Sequence, residues 1–313
     1  MFNTLQIERL KVPEQSIEQQ SRVLEVLAYF DIFHYPLLSS EIRLYLSEIM
    51  SIPELTETLQ SLEKEKRIFH MGDFYALHSN YLLVERRIEG NRRAHQLLPR
   101  AFRNGRFLFR FPFVRAIGIS GSLSKHFADE RADIDFFIIT KTNRLWIART
   151  CMHLFKKIMI LLGKQHGFCM NYYLDESSLK LKDQNIYTAI ELKTLLPVRG
   201  NECLARLLAN NPWTESYLPA CNRSFSTEEK KKPHVIKKWI EWVFDNRLGD
   251  RLDDLLWKIT SRRWNKKETK GKRNNKGLTH RLDTGKHFAR SNPGSFQERV
   301  LELYQEKLTK CRM

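Results

Sequence analysis

Two aspartates, Asp133 and Asp135, stand two residues apart in an otherwise apolar run, Asp133-Ile-Asp-Phe-Phe-Ile-Ile-Thr140. Such a run, rich in β-branched and aromatic residues, predicts a buried strand. Alternation puts both carboxylates on one face, with Cα atoms about 6.6 Å apart, and turns Ile134 and Phe136 to the other. Like charges on one face of a buried strand repel each other and are costly to desolvate. A divalent cation removes that cost, because Mg2+ takes oxygen ligands and is often held by one or two carboxylates plus substrate phosphates.

The preceding apolar run, Phe113 to Ile119, predicts another strand, ending in Ser120-Gly121-Ser122. Glycine allows close backbone approach, and backbone N–H groups with the Ser122 hydroxyl can hold phosphate oxygens. Ser124 and Lys125 add a hydroxyl and a positive charge. Each half has an ordinary explanation: Gly-Ser as a turn, Asp-x-Asp as an edge strand with ion-paired carboxylates. Their combination, strand, Gly-Ser, then strand with Asp-x-Asp, points to a site for phosphate and metal.

Residues 1–18 read as a polar lead-in. From Ser21, the apolar residues Val23, Leu24, Leu27, Phe30 and Phe33 recur at helical steps until His34-Tyr35-Pro36. Ser39 or Ser40 can cap a short second helix, and Ser51 with Pro53 opens a third whose Leu55, Leu59 and Leu62 share a face. Ile68 to Leu77, with Gly72 at its turn, predicts a hairpin. Three helices and a hairpin over residues 19–80 have the order of a winged-helix-like domain. Its third helix would read DNA, but it carries Glu54, Glu57, Glu63 and Glu65 against Lys64, Lys66 and Arg67. Acidic residues there oppose phosphate, so packing or protein contact is the expectation.

Residues 81–200 then form an α/β (α+β) core with a mixed sheet. It opens on a helix from Asn80 to Arg110 with eight arginines, readable as a solvated face or as a basic wall beside a nucleotide. After the two strands come a helix from Arg144, a strand from Phe168 to Leu174, and a helix from Asn185 to Leu195 closed by Pro197. Residues 201–313 predict a mostly helical region, with a basic flexible segment at about 261–286.

The stretch GISGSLSKHFADERADIDFFIIT, Gly118 to Thr140, resembles the signature of the DNA polymerase beta-type nucleotidyltransferase superfamily. The whole chain also resembles bacterial nucleotidyltransferase-domain proteins of unassigned substrate, in which a winged-helix-like region precedes the catalytic domain. The superfamily resemblance implies Mg2+-dependent transfer of a nucleoside monophosphate from an NTP to an acceptor hydroxyl, with pyrophosphate released. It also implies that Asp133 and Asp135 hold two Mg2+ ions during turnover, with Mn2+ as a substitute. Gly121, Ser122, Ser124 and Lys125 would bind the nucleotide. The superfamily usually supplies a third carboxylate from the neighbouring strand, and here the central polar residue of that strand is Asn171, a further candidate nucleotide contact. Asp175 at the strand end and Glu191 on the next helix are the candidates to replace it.

A formal charge of +17, from 53 Lys+Arg against 36 Asp+Glu, suits a polyanionic partner without naming one. The acceptor is open among a small molecule, a protein and RNA, with nucleic-acid contact through the basic regions. An RNA-end nucleotidyltransferase and a non-catalytic, nucleotide-sensing DNA-binding regulator are the alternatives. Five scattered cysteines without a CxxC pair suggest neither a disulfide framework nor a zinc knuckle. Met1 to Gln15 lacks the apolar run of a signal peptide, and the longest aliphatic run, Ile158 to Leu162, falls far short of the ~20 residues of a membrane span. A cytoplasmic protein without a membrane partner is expected. His153, His166 and Cys169 have no metal-ligand spacing, and neither a P-loop nor a Gly-x-Ser-x-Gly elbow occurs.

Overall fold

A computed structural model describes residues 14–130, 132–163, 167–222, 225, 235–271, 279, 281–291 and 295–312. The chain starts with α1 (Glu14–Asp31), β1 (Leu37–Leu38), α2 (Ser39–Tyr45) and α3 (Ile52–Lys64), followed by the hairpin β2 (Phe69–Met71) and β3 (Phe74–Ala76). Ser51 starts α3 because its hydroxyl accepts the Glu54 N–H while the Glu54 carboxylate accepts the Ser51 N–H, which satisfies two otherwise orphaned donors. Gly72, at φ +65°, makes the hairpin turn. The three strands form an antiparallel sheet in the order β1-β3-β2, β1 being an addition to the expected elements.

The central part comprises α4 (Tyr81–Leu108), β4 (Val114–Ser120), a 3-10 turn at Ser122–Lys125, β5 (Asp135–Thr140), α5 (Leu145–Leu161), β6 (Cys169–Asp175), α6 (Ile186–Lys193) and β7 (Leu196–Arg199). Then follow α7 (Asn201–Ala209), α8 (Thr214–Tyr217), α9 (Val235–Phe244), α10 (Arg247–Thr269), β8 (Leu282–Thr284), β9 (Phe288–Ser291) and α11 (Phe296–Arg312). The main sheet is mixed, in the order β7-β4-β5-β6-β9-β8, and only β5 and β6 run parallel, joined through α5.

Alternation along β5 divides the interior. Ile134, Phe136 and Ile138 enter one apolar cluster, with Ala101 and Leu108 of α4 and Trp146 of α5. Phe137 and Ile139 enter another, with Leu192, Leu195 and Leu204. Gly118 lies on the second face, where a Cβ would sit 2.7 Å from Leu195 Cγ, so glycine lets β4 approach that side chain. A third cluster joins α1, α2 and α3 to Phe127, Ala189, Ile190, Leu218 and Val300, so the first helices share a core with α6 and α11.

Three expectations are corrected. Pro197 does not only close a helix: Leu196–Arg199 is an edge strand, where Pro is tolerated. The C-terminal region supplies β8 and β9, which extend the sheet beyond β6. The segment at 261–286 is helix as far as Thr269 and strand from Leu282 to Thr284, while residues 272–278 and 280 lie outside the described residues. Among the described residues, no helix is long and apolar enough to cross a membrane.

Candidate nucleotide site

The site is assembled where β4 ends and β5 begins. Ser120 pairs with Asp135, and the chain then leaves the sheet at Gly121, with φ +70°. With no β4 residue left to pair upstream, β5 starts at Asp135, and Asp133 lies just ahead of the strand rather than inside it. The expected alternation survives, because Asp133 and Asp135 are half-buried while Ile134 and Phe136 are fully buried. Gly121 has a steric reason to be glycine: a Cβ would meet Asp135 Oδ2 at 2.6 Å. The turn and the carboxylate are therefore in direct apposition.

Glu191 on α6 closes the other side of the turn. Its Oε2 accepts the Gly121 N–H at 3.2 Å, and its Oε1 accepts from Lys125 Nζ at 2.7 Å. Lys125 Nζ also donates to the Gly121 carbonyl at 3.1 Å. Ser122 is exposed at the first position of the 3-10 turn. Ser124 is turned inward: its hydroxyl donates to the Gly121 carbonyl at 2.8 Å and lies 3.3 Å from Thr194 Oγ1. It shapes the turn and does not face a ligand.

Asn171 stands beside the carboxylates. Its Nδ2 donates to Asp135 Oδ1 at 2.6 Å, and its Oδ1 accepts from Cys169 Sγ at 3.2 Å. A carboxylate acceptor on one side and a thiol donor on the other match the two ends of the amide. Burial, then the charges of Asp135 and Asp133, push the Cys169 thiol up to about 12, although Lys156 opposes them, so the thiol keeps its donor proton. Asn171 thus holds Asp135 in place from the neighbouring strand.

Asp175 does not join this group. Parallel pairing sets Asp135 against Cys169 but Thr140 against Asp175, five residues along β5 and roughly 17 Å away. The expectation of Asp175 as a third catalytic carboxylate is corrected by that register. Of the nine candidates, Gly121, Ser122, Ser124, Lys125, Asp133, Asp135, Asn171 and Glu191 converge, and Asp175 remains apart.

Sequence reasoning did not single out the aromatic support of the turn. The Tyr35 hydroxyl donates to the Lys125 carbonyl at 2.8 Å, which ties the first helices to the turn. Burial, then Glu191 and Asp135, push the Tyr187 phenol well above its ordinary value, so it stays neutral beside both carboxylates. Neither tyrosine sits in a pattern distinguishable from ordinary core. His153 is largely buried: burial, then Arg149 and neighbouring lysines, push it down to about 3. His166 lies outside the described residues.

Asp133 and Asp135 offer hard oxygen ligands, a fit for one ion that completes its shell with phosphate and water oxygens. Asn171 gives Asp135 a hydrogen-bond donor where a third carboxylate would stand. Among the described residues, no group of three or more His, Cys, Asp or Glu could hold a metal through protein ligands alone. A site that shares its cation with substrate phosphates needs no such group. Comparisons with protein-family models, curated proteins and solved structures give no match to this chain.

Proposed function

We propose that the chain is an Mg2+-dependent nucleotidyltransferase of the DNA polymerase beta type, moving a nucleoside monophosphate from an NTP to an acceptor hydroxyl. The observation that carries this reading is the contact between the Gly121 turn and Asp135, too close to admit a Cβ. It sets backbone and carboxylate where a phosphate and its counterion can be held together. Bound Mg2+ would supply neutralisation of the triphosphate and of the departing pyrophosphate. Ser122 and the turn backbone orient phosphate oxygens, Lys125 adds positive charge, and Glu191 fixes both Lys125 and Gly121. Such a site works by positioning and electrostatics and needs no covalent intermediate.

Residues 19–80 support a winged-helix reading through their element order and the β1-β3-β2 sheet. The exposed side of α3 carries Glu54, Glu57 and Glu63, which disfavours phosphate contact. We read this unit as a buttress for the turn, through Tyr35 and Lys125.

Asn171 favours a second reading, nucleotide binding without transfer, in a sensing protein. One experiment separates the two. The protein is incubated with each α-labelled NTP and Mg2+, together with host RNA, protein or metabolite fractions, beside an Asp133→Ala/Asp135→Ala control. Label entering one fraction with the wild type alone supports transfer and names the acceptor class. Mg2+-dependent NTP binding with no label transferred overturns transfer in favour of sensing.

A further inference from the structure

The arginines of α4 fall into two groups. In the first half, Arg86 meets Asp129 at 2.8 Å, Arg87 meets Glu41 at 2.7 Å, and Arg92 and Arg93 both meet Glu89, at 2.7 and 3.1 Å. From Gly90 to Ala128 the sequence contains no Asp or Glu. Arg100, Arg103, Arg106 and Arg110 lie in that stretch, are exposed, and have no carboxylate partner among the described residues. At 3.6 residues per turn and 1.5 Å per residue, Arg100, Arg103 and Phe107 form one stripe about 10 Å long on α4, with Arg106 beside it, and Arg110 follows in the turn just past the helix end. Phe107 is 39% exposed, and its ring is held by Phe111 and Phe155 at centroid distances of 5.8 and 5.1 Å.

At the far end of this stripe, α9 is docked in an unusual sense. Its polar side faces the protein: Lys237 Nζ donates to the carbonyls of Phe109 and Val114, and Glu241 accepts from the Phe113 N–H and Arg115. Its apolar side faces outward, with Trp239 64% and Trp242 78% exposed. A helix that turns indoles to water leaves apolar surface without cover, the usual mark of a binding surface.

We infer that the arginines Arg100 to Arg110 at the C-terminal end of α4 and the turn after it, with the exposed tryptophans of α9, form a binding face for single-stranded nucleic acid. Cations spaced along a helix match a phosphate backbone, and exposed aromatic rings match unpaired bases, which offer stacking faces that a duplex keeps covered. The stripe lies on the side of the sheet opposite to Asp135, since α4 packs on the Phe136 face. Binding at this face is independent of the transfer reaction.

The test is fluorescence anisotropy with the full chain and a labelled 12-nucleotide single-stranded RNA, its DNA counterpart and a 12-base-pair duplex, over a range of salt. Both single strands should bind more tightly than the duplex; a difference between them would show whether the 2′-hydroxyl is also read. Arg100→Gln/Arg103→Gln/Arg106→Gln/Arg110→Gln should reduce the log–log salt slope by about 3, at about 0.7 per phosphate contact. Trp239→Ala/Trp242→Ala should weaken binding on the order of tenfold with the slope unchanged. Asp135→Ala should bind as the wild type does, which separates this face from the transferase reading. Wild-type affinity in both multiple variants would overturn the proposal. So would binding to anionic phosphatidylglycerol vesicles without strand binding, or conversion of a dimer to a monomer by the tryptophan changes alone. Melting temperatures of the variants within a few degrees of wild type make any loss of binding a loss of contacts.

Discussion

The two ends of the β5–β6 pair each hold an aspartate, and the protein treats them in opposite ways. Asp175 is fully buried. Its Oδ2 accepts the Asn143 N–H at 3.1 Å and lies 2.7 Å from His287 Nδ1, while its Oδ1 accepts the Ser177 N–H and hydroxyl at 2.9 and 2.6 Å. Those bonds tie the loop before α5, the loop after β6 and the β8–β9 hairpin to one carboxylate. Asp135 is half-buried, accepts from Asn171 Nδ2 through Oδ1, and turns Oδ2 to the Gly121 turn. Identical chemistry thus serves architecture where protein donors converge on it, and is suited to ligand chemistry where a glycine turn lies open beside it.

Substitutions can break this comparison. Asp175→Ala should cost the most, about 3–5 kcal/mol of stability, because it strips a buried charge and leaves its donors without an acceptor. Urea unfolding measures this; a loss below about 0.5 kcal/mol would mean that Asp175 does not tie the loops together. Asp135→Ala should do the reverse: stability close to wild type, but label transfer down by more than about 100-fold, beyond the usual effect of losing a group that merely orients a metal ligand. Normal turnover in that variant would end the assignment of Asp135.

The sequence made the apposition legible because it is local. Gly121, Asp133 and Asp135 lie within fifteen residues, and two consecutive antiparallel strands place the end of the first beside the start of the second. Glu191 was a candidate on a nearby helix, but only tertiary packing brings it onto the Gly121 N–H. Asp175 failed because strand alternation says which face a side chain takes, not which end of a parallel pair lies near the site; that depends on the register of β6 against β5. The added strands β7, β8 and β9 are three or four residues long, and β7 contains proline, so none has enough alternation to be seen. The outward face of α9 was not legible, because an apolar helical stripe carries no sign of whether it faces in or out.

Asn171→Asp sharpens the contrast from the ligand side. A third carboxylate beside Asp135 should strengthen Mg2+ dependence and raise transfer on the order of tenfold, while the metal-free protein becomes less stable through repulsion. A fall in transfer with Mg2+ saturating would show that the amide's hydrogen bond to Asp135 is itself required.

The smallest effect is expected at the architectural end, at Asp253 on α10. Asp253 is 1% exposed, its Oδ1 accepts the Ile147 N–H at 2.9 Å, and its Oδ2 has no hydrogen bond of good geometry among the described residues. Burial, with a smaller contribution from Asp175, pushes its carboxyl up to about 6, against the backbone donors of Ile147 and Trp146 and the charge of Arg144. Between about pH 4 and 6 the folded state therefore holds this proton more tightly than the unfolded chain does. Its contribution to stability is present below that window and is lost as pH rises through it. Asp253→Asn keeps the acceptor for Ile147 and removes the titration, so it should flatten this part of the profile. At pH 7 it should match or exceed wild type by on the order of 1 kcal/mol. Unfolding free energies of both proteins at pH 4, 5, 6 and 7 give the difference directly. A variant that loses stability at pH 7 would mean that the α5 start needs a charge as well as an acceptor, and that Asp253 is a structural tie of the same kind as Asp175.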